Sequence, residues 1–217
     1  MDSGVHEENS SSQNDKFYIL SISRQGGAGG MCKITCTGAF FFVPRAVCED
    51  LTLAEGELLT ERQVQVLQFQ HLICSAYQKA IDLISRKDHS RMMLRLKLRK
   101  RDYPDEVVAH VLQRLAEEGI LDDEKFGEHY LQFLLKKNKY GRPKILAKLR
   151  EKGLSRELAE ALTARVSEIE EDEALWENAA KLFRRGNITK EKMARSLISR
   201  GFPPGKVYTC ISEYFRF

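Results

Sequence analysis

The chain has 217 residues, of which 42% are apolar and 30% charged, and this balance predicts a folded, very soluble protein with a modest core. No apolar run approaches the length of a membrane span, and no hydrophobic segment follows a basic start, so the sequence excludes a membrane-spanning chain and predicts a cytoplasmic one. The net charge of +4 is mild and by itself indicates no partner. The five cysteines lack the paired spacing of zinc ligands, so we expect reduced, mostly buried thiols and no metal.

The first 59 residues divide into a polar segment and a strand-like segment. Residues 1–15 are serine-rich with almost no apolar groups, which predicts a disordered tail. Residues 16–59 are predicted to form a small β-rich extension, a three-stranded meander that ends at Pro44. Its last apolar run, Phe40–Val43, is expected to pack against the first helices; the alternative is an exposed edge that binds a partner.

A long helix is predicted to follow this extension. Thr60 and Gln63 have the spacing of a capping box in front of a periodic apolar run, and the helix is expected to reach Ser85, with a break near Gln70 left open. The run Leu94–Arg99 alternates apolar and basic residues as a strand would. Because it contains strong helix formers and no β-branched residue, we predict a helix there.

The middle of the chain has the pattern of a three-helix module. An acidic start, Asp122–Glu124, precedes an apolar run at helical spacing, Gly141 then breaks the chain, and Pro143 suits the first turn of a second helix. Ser155 is a suitable N-cap for a third helix. Helices this short are marginal alone in water, so the three must share one core.

This module occurs three times, at offsets of about 50 residues that are typical of helical repeats. Each second helix carries two apolar residues four positions apart, and each is followed by Asp or Gly and then a large apolar residue; these motifs are Leu94/Leu98 with Asp102-Tyr103, Ile145/Leu149 with Gly153-Leu154, and Met193/Leu197 with Gly201-Phe202. The predicted fold is mostly α: three tandem three-helix repeats in an elongated curved array, with a small N-terminal β-element. The repeats are assigned to residues 60–121 (with the connecting helix), 122–168 and 169–217.

Basic residues concentrate on the second helices of these repeats. Equivalent helices of a repeat array lie along one side, so their cations would form a stripe that suits a nucleic-acid backbone or an acidic protein surface. The alternative is an ordinary solvated surface. The residues of this basic stripe, which are the candidate binding residues, are Arg91, Arg95, Lys97, Arg99, Lys139, Arg142, Lys144, Lys148, Arg150 and Arg195.

Enzyme signatures are not found in the sequence. The glycine-rich segment Gly26–Gly30 lacks the Lys-Ser/Thr that follows a phosphate-binding loop, and no serine elbow or histidine pair at metal-ligand spacing occurs. The adjacent acids Asp122, Asp123 and Glu124 would suit a metal-dependent nuclease only with further converging acids, and helix capping explains them better. We therefore predict neither catalysis nor a cofactor.

Three runs in the middle repeat resemble the RecX family, which consists of bacterial regulators of the RecA recombinase. They are Gly119–Phe126, with its Leu-Asp-Asp-x-basic-Phe signature, Tyr140–Ile145 and Leu149–Gly153. The resemblance covers about two thirds of the chain. It departs from the family pattern at Gly127, where alanine is usual, and at Pro143, which lies one position late; neither change removes a charge.

The resemblance implies a non-enzymatic inhibitor that binds along the RecA–DNA filament and suppresses its ATPase and strand-exchange activity, within DNA repair, homologous recombination and the SOS response. It implies a monomer whose partners are the RecA filament and, weakly through backbone contacts, single- and double-stranded DNA. One alternative is a direct DNA-binding module or transcriptional regulator with a helix-turn-helix at Lys144–Val166. Another is a structural scaffold without nucleic-acid contact.

Overall fold

The computed structural model describes residues 16–26, 30–186 and 188–215. The predicted disordered tail, residues 1–15, lies outside the described residues, as do residues 27–29 of the glycine-rich segment. The chain folds as two compact units, one reaching to Tyr77 and the other beginning at Gln78. Among the described helices, none has the length and apolar character needed to cross a membrane.

The described elements are three strands followed by ten helices. The strands are β1 Ile19–Gln25, β2 Met31–Cys36 and β3 Ala39–Pro44. The helices are α1 Arg45–Asp50, α2 Glu61–Ile84, α3 Arg91–Arg99, α4 Asp105–Glu117, α5 Asp123–Lys136, α6 Arg142–Glu151, α7 Arg156–Ala164, α8 Glu168–Arg184, α9 Lys190–Ser199 and α10 Pro204–Tyr214. The prediction of a mostly helical chain with a small β-element is confirmed.

The N-terminal unit contains the predicted meander. The strands pair antiparallel in the order β1-β2-β3, and β3 ends at Pro44. Side chains alternate along β3, so Phe41 and Val43 lie in a core that includes Leu67 of α2, while Phe40 is exposed. The prediction that the Phe40–Val43 run packs against the first helices is therefore confirmed for its inward-facing half.

The long helix α2 begins at the predicted capping box. The Thr60 hydroxyl accepts a hydrogen bond from the Gln63 amide at 3.3 Å, and the Gln63 side chain accepts one from the Thr60 amide at 2.9 Å. The helix continues without interruption to Ile84, so the open break near Gln70 does not form.

The second unit holds the repeated helices. As predicted, the alternating run at Leu94–Arg99 is helical, because Leu94 and Leu98 are one turn apart and both are fully buried. The second repeat, α5 to α7, closes a core around Ile145, Leu149 and Leu162. Glycine at position 127 allows close packing within it, since a methyl group there would lie 2.6 Å from the Leu162 side chain. The third repeat, α8 to α10, closes its own core.

Of the three acids expected to cap α5, Asp122 has that role. The Asp122 carboxylate accepts hydrogen bonds from the amides of Glu124 and Lys125 at 2.9 and 3.0 Å. Ser167 and Glu170 form a reciprocal capping box at the start of α8. The Asp122 and Glu170 carboxylates thus stabilise the starts of α5 and α8.

Candidate interaction surface on the second helices

The first and second repeats meet where α3 begins and α6 ends. The hydroxyl of Ser90, the N-cap of α3, donates a hydrogen bond to the carbonyl of Lys152 at the end of α6. The next amide, that of Arg91, donates to the carboxylate of Asp123 at 2.7 Å. Two successive groups at the start of α3 are thus bound by the second repeat.

The second and third repeats meet in the same way. The amide of Gly141, the N-cap of α6, donates to the carbonyl of Arg200 at 3.1 Å, where α9 ends. The next amide, that of Arg142, donates to the carboxylate of Glu171 at 2.8 Å. Glu171 follows Asp123 by 48 positions and is its equivalent in the third repeat. Both junctions therefore use one pattern, an N-cap bound to a carbonyl and a first amide bound to an acid.

This pattern places α3, α6 and α9 end to end. At each junction the positive N-terminus of one second helix meets the carbonyl-rich C-terminus of the next, an arrangement that the helix dipoles favour. Close contact requires glycine: a methyl group on Gly141 would lie 2.3 Å from the Gly201 carbonyl oxygen, and one on Gly153 would lie 2.3 Å from the β-carbon of Met92. The basic second helices consequently form one end-to-end line.

The buried leucines and isoleucine fix how each second helix is rotated. Leu94 and Leu98 of α3, and Ile145 and Leu149 of α6, are each at most 1% exposed. Relative to these pairs, two basic residues recur at the same positions in both helices; they are Lys97 with Lys148, and Arg99 with Arg150. Arg91 and Arg142 form a third pair at the first helical position. The basic stripe is therefore regular across the first two repeats.

The third repeat interrupts this regularity. The positions equivalent to Lys148 and Arg150 hold Ser196 and Ile198. Arg195 is exposed, but it occupies the position that alanine holds in α6. The stripe is thus strongest on α3 and α6 and thin on α9.

Most residues of the stripe have side chains directed to solvent. Arg95, Lys139, Lys144 and Arg150 are exposed, and none of them forms an ion pair within the described residues. Others have local partners. The Arg99 guanidinium lies 2.9 Å from the Asp105 carboxylate, and the Lys148 ammonium lies 4.8 Å from the centre of the Tyr140 ring.

Arg142 differs from the rest of the stripe. Its guanidinium lies 3.4 Å from the Glu171 carboxylate, which is 5% exposed, and 3.6 Å from that of Glu168. A buried carboxylate is costly without a partner, so Arg142 stabilises the junction between the second and third repeats. The sequence placed Arg142 in the binding surface only; the equivalence of Asp123 and Glu171 was the signal that could have revealed its structural role.

Aromatic rings on α5 extend from the core of the second repeat, where Phe126 is buried and Tyr130 packs against it, to the surface, where Phe133 is 48% exposed. Phe126, Tyr130 and Phe133 stack in a row with centroid separations of 6.0 and 5.9 Å. The Lys152 ammonium lies 5.5 Å from the Tyr130 ring and the Lys137 ammonium 4.2 Å from the Phe133 ring. Cations and rings are thus combined on one repeat, as in many nucleic-acid-binding surfaces.

Comparison with known proteins identifies the family. The RecX model for the first three-helix domain matches residues 76–115, and that for the second three-helix domain matches residues 122–162. The chain belongs to the RecX family. These matches coincide with the first two of the three repeats and contain both regular halves of the basic stripe.

Individual relatives carry the same name. The chain is 30% identical over 171 residues to the regulatory protein RecX of Listeria monocytogenes serovar 1/2a, a match that covers 75% of this chain and 62% of the relative. It is 40% identical over 77 residues to the regulatory protein RecX of Ectopseudomonas mendocina, covering 36% of this chain and 51% of the relative. The chain thus spans less than two thirds of the length of these relatives.

A solved structure supports the fold over nearly the whole chain. The crystal structure of a regulatory protein RecX superposes with a TM-score of 0.72 at 25% identity, covering 91% of this chain and 99% of that one. The structural likeness therefore extends beyond the two matched domains.

Proposed function

We propose that this RecX-family chain is a non-enzymatic regulator that inhibits RecA in the cytoplasm. It binds as a monomer along the RecA–DNA filament and suppresses the ATPase and strand-exchange activity. The observation that supports this most is the end-to-end line of basic second helices, because a filament presents repeated acidic groups along its length. Membership of a family of regulatory proteins supports the same proposal.

The junctions explain why three repeats would act as one binder. Each repeat alone offers a few exposed cations, and each exposed contact is weak in water. Because α3, α6 and α9 are held end to end, the second and third contacts form at high effective concentration once the first has formed. We assign the contacts to Arg95, Lys97, Arg99, Lys139, Lys144, Lys148 and Arg150, with Arg195 at the thin end and with Arg91 and Arg142 at the junctions.

A sequence-specific helix-turn-helix at Lys144–Val166 is less well supported. The second helix of such a motif would be α7, which has to present hydrogen-bond donors to base edges or phosphates. Its cations are instead paired: Arg156 lies 2.8 Å from Glu160, and Arg165, just beyond the helix, lies 2.7 Å from Glu128. The basic stripe on α6 suits the backbone, not a base sequence.

The test is DNA-dependent ATP hydrolysis by RecA from the same organism, titrated with this protein. We expect inhibition well below one protein per RecA. The triple variant Lys144→Glu, Lys148→Glu, Arg150→Glu is expected to lose inhibition while retaining the helical circular dichroism spectrum.

The matched control is Lys125→Glu, Arg156→Glu, Arg165→Glu, which makes the same charge change on exposed cations outside the stripe. It should inhibit like the unmodified protein. Equal inhibition by both triple variants would show that the stripe is ordinary surface, and no inhibition by the unmodified protein would refute the proposal.

A further inference from the structure

The third repeat carries a row of aromatic rings at its surface. Trp176 and Phe183 of α8 are 41% and 42% exposed. The Tyr214 ring at the end of α10 lies between them, with centroid separations of 5.9 Å to Trp176 and 5.3 Å to Phe183. Phe215 extends the row, 5.5 Å from Phe183. Four rings therefore form one contiguous surface that we call the aromatic row.

Tyr214 and Phe215 pack against the core of the third repeat, whereas Trp176 and Phe183 are exposed beside them. Trp176 follows Glu171 by five positions, as Glu128 follows Asp123, so Trp176 and Glu128 are equivalent. In the second repeat, Glu128 forms an exposed ion pair with Arg165 at 2.7 Å, joining the first helix to the end of the third. The same place in the third repeat holds exposed aromatic rings, and exposed apolar clusters of this kind mark interaction sites.

Cations follow Phe183 in the sequence at one end of the aromatic row. Arg184, Arg185 and Lys190 are exposed and form no ion pair within the part of the chain that the structure describes. The Lys190 ammonium lies 5.5 Å from the Phe215 ring. At the other end, Trp176 is next to Glu177, whose carboxylate forms an ion pair with Lys181. The row thus offers ring faces next to unpaired positive charge.

We propose that the aromatic row binds single-stranded nucleic acid by stacking unpaired bases on Trp176 and Phe183, with phosphates at Arg184, Arg185 and Lys190. Every base has a flat π-face, so the contact tolerates any sequence. Duplex DNA, whose bases are stacked internally, cannot use it. This binding needs no RecA and lies outside the basic stripe, so it can fail or succeed independently of the proposed inhibition.

The protein provides its own probe, because Trp176 is its one tryptophan. We would titrate the full chain with oligothymidylate and follow tryptophan emission, with a duplex of the same length as comparison. We expect saturable quenching by the single strand and much weaker quenching by the duplex. Binding detected by anisotropy of a labelled strand without any change in emission would place the strand elsewhere and overturn the proposal.

Variants separate stacking from charge. Phe183→Ala and Trp176→Ala should each weaken single-strand binding roughly 5- to 150-fold, the range of one base–ring contact, when measured by anisotropy. Trp176→Phe, which keeps a ring, should bind within about threefold of the unmodified protein. Arg184→Glu with Arg185→Glu should weaken binding and flatten its salt dependence.

The control is Tyr208→Ala, which removes an aromatic residue that is 61% exposed on α10 but outside the row. It should bind as the unmodified protein does. Equal losses in Tyr208→Ala and Phe183→Ala would contradict the assignment. Emission that changes on dilution without nucleic acid, together with a dimer in sedimentation, would assign the row to a second copy of the chain instead.

Discussion

Gly201 and Lys144 are so close that a methyl group on Gly201 would lie 2.7 Å from the Lys144 amide nitrogen. Gly201 lies just past the end of α9, the second helix of the third repeat, and Lys144 lies in the first turn of α6, the second helix of the second repeat. Gly201 also has a φ of +88°, which L-residues with a side chain rarely adopt. Its lack of a side chain therefore permits both the turn and the junction, and the junction aligns the basic helices end to end.

Gly201→Ala is expected to lower the free energy of unfolding by roughly 2–5 kcal/mol. Of this, roughly 1–2 kcal/mol comes from the left-handed backbone and roughly 1–3 kcal/mol from overpacking. The matched control is Gly186→Ala, where φ is +69° but the space around a methyl group is open. It should show the backbone cost alone. Urea unfolding of both variants measures the difference, and equal losses would mean that the junction can relax.

Arg142 should matter for stability more than its neighbours in the stripe. Arg142→Met leaves the buried Glu171 carboxylate without its cation and is expected to cost about 1–3 kcal/mol. Lys144→Met removes only an exposed charge and should stay within about 0.5 kcal/mol. The double variant Arg142→Met, Glu171→Gln should recover part of the loss in thermal unfolding. If Glu171→Gln recovered none of the stability lost in Arg142→Met, Arg142 would not act through Glu171.

The cap at Asp122 predicts a pH-dependent contribution to stability. The amides of Lys125 and Glu124 hold the pKa of Asp122 below its ordinary value. A carboxyl whose pKa is lowered on folding stabilises above its unfolded pKa, and this stabilisation is lost as the pH falls through the folded pKa. Asp122→Ala should therefore cost about 1 kcal/mol at pH 7. The difference between the unmodified protein and Asp122→Asn should shrink as the pH falls below about 4, the unfolded pKa of an aspartate; a constant difference would show that the charge is irrelevant.

Two buried cysteines should be poor nucleophiles in the folded protein. Burial raises the pKa of Cys48 to about 12, with Cys32 next to it adding to the rise, and burial raises the pKa of Cys210 to about 11. At pH 8 a pKa of about 11 leaves only roughly one Cys210 thiol in a thousand ionised. Because the thiolate is the reactive form, alkylation of this residue should be slow. Alkylation mapped by mass spectrometry should label both residues rapidly in urea and at least about 100-fold more slowly without it. Rapid labelling of Cys210 in the native protein would indicate local opening of the third repeat.

Local patterns were sufficient wherever one helix decides the outcome. The capping box at Thr60, the N-cap at Asp122 and the helix at Leu94–Arg99 were all predicted correctly, because each depends on residues within about one turn. Arg142 shows where this reasoning stops. Its side chain was predicted to face a partner, yet its carboxylate partners lie 26 and 29 positions later in the chain. No local pattern ranks Glu171 above the other acids of its helix.

The sequence by itself determined the order of the repeated helices, the repeat and the family resemblance, since helical periodicity, caps and breaks depend on neighbouring residues, but it did not reveal the short helix α1 after Pro44. Only the tertiary structure decided that the second helices lie end to end, that Gly141 fits against the backbone of Gly201 and Gly201 against Lys144, and that the rings of Trp176, Phe183 and Tyr214 share one surface. These relationships join residues of different helices, and packing of whole repeats decides which faces meet and which stay exposed.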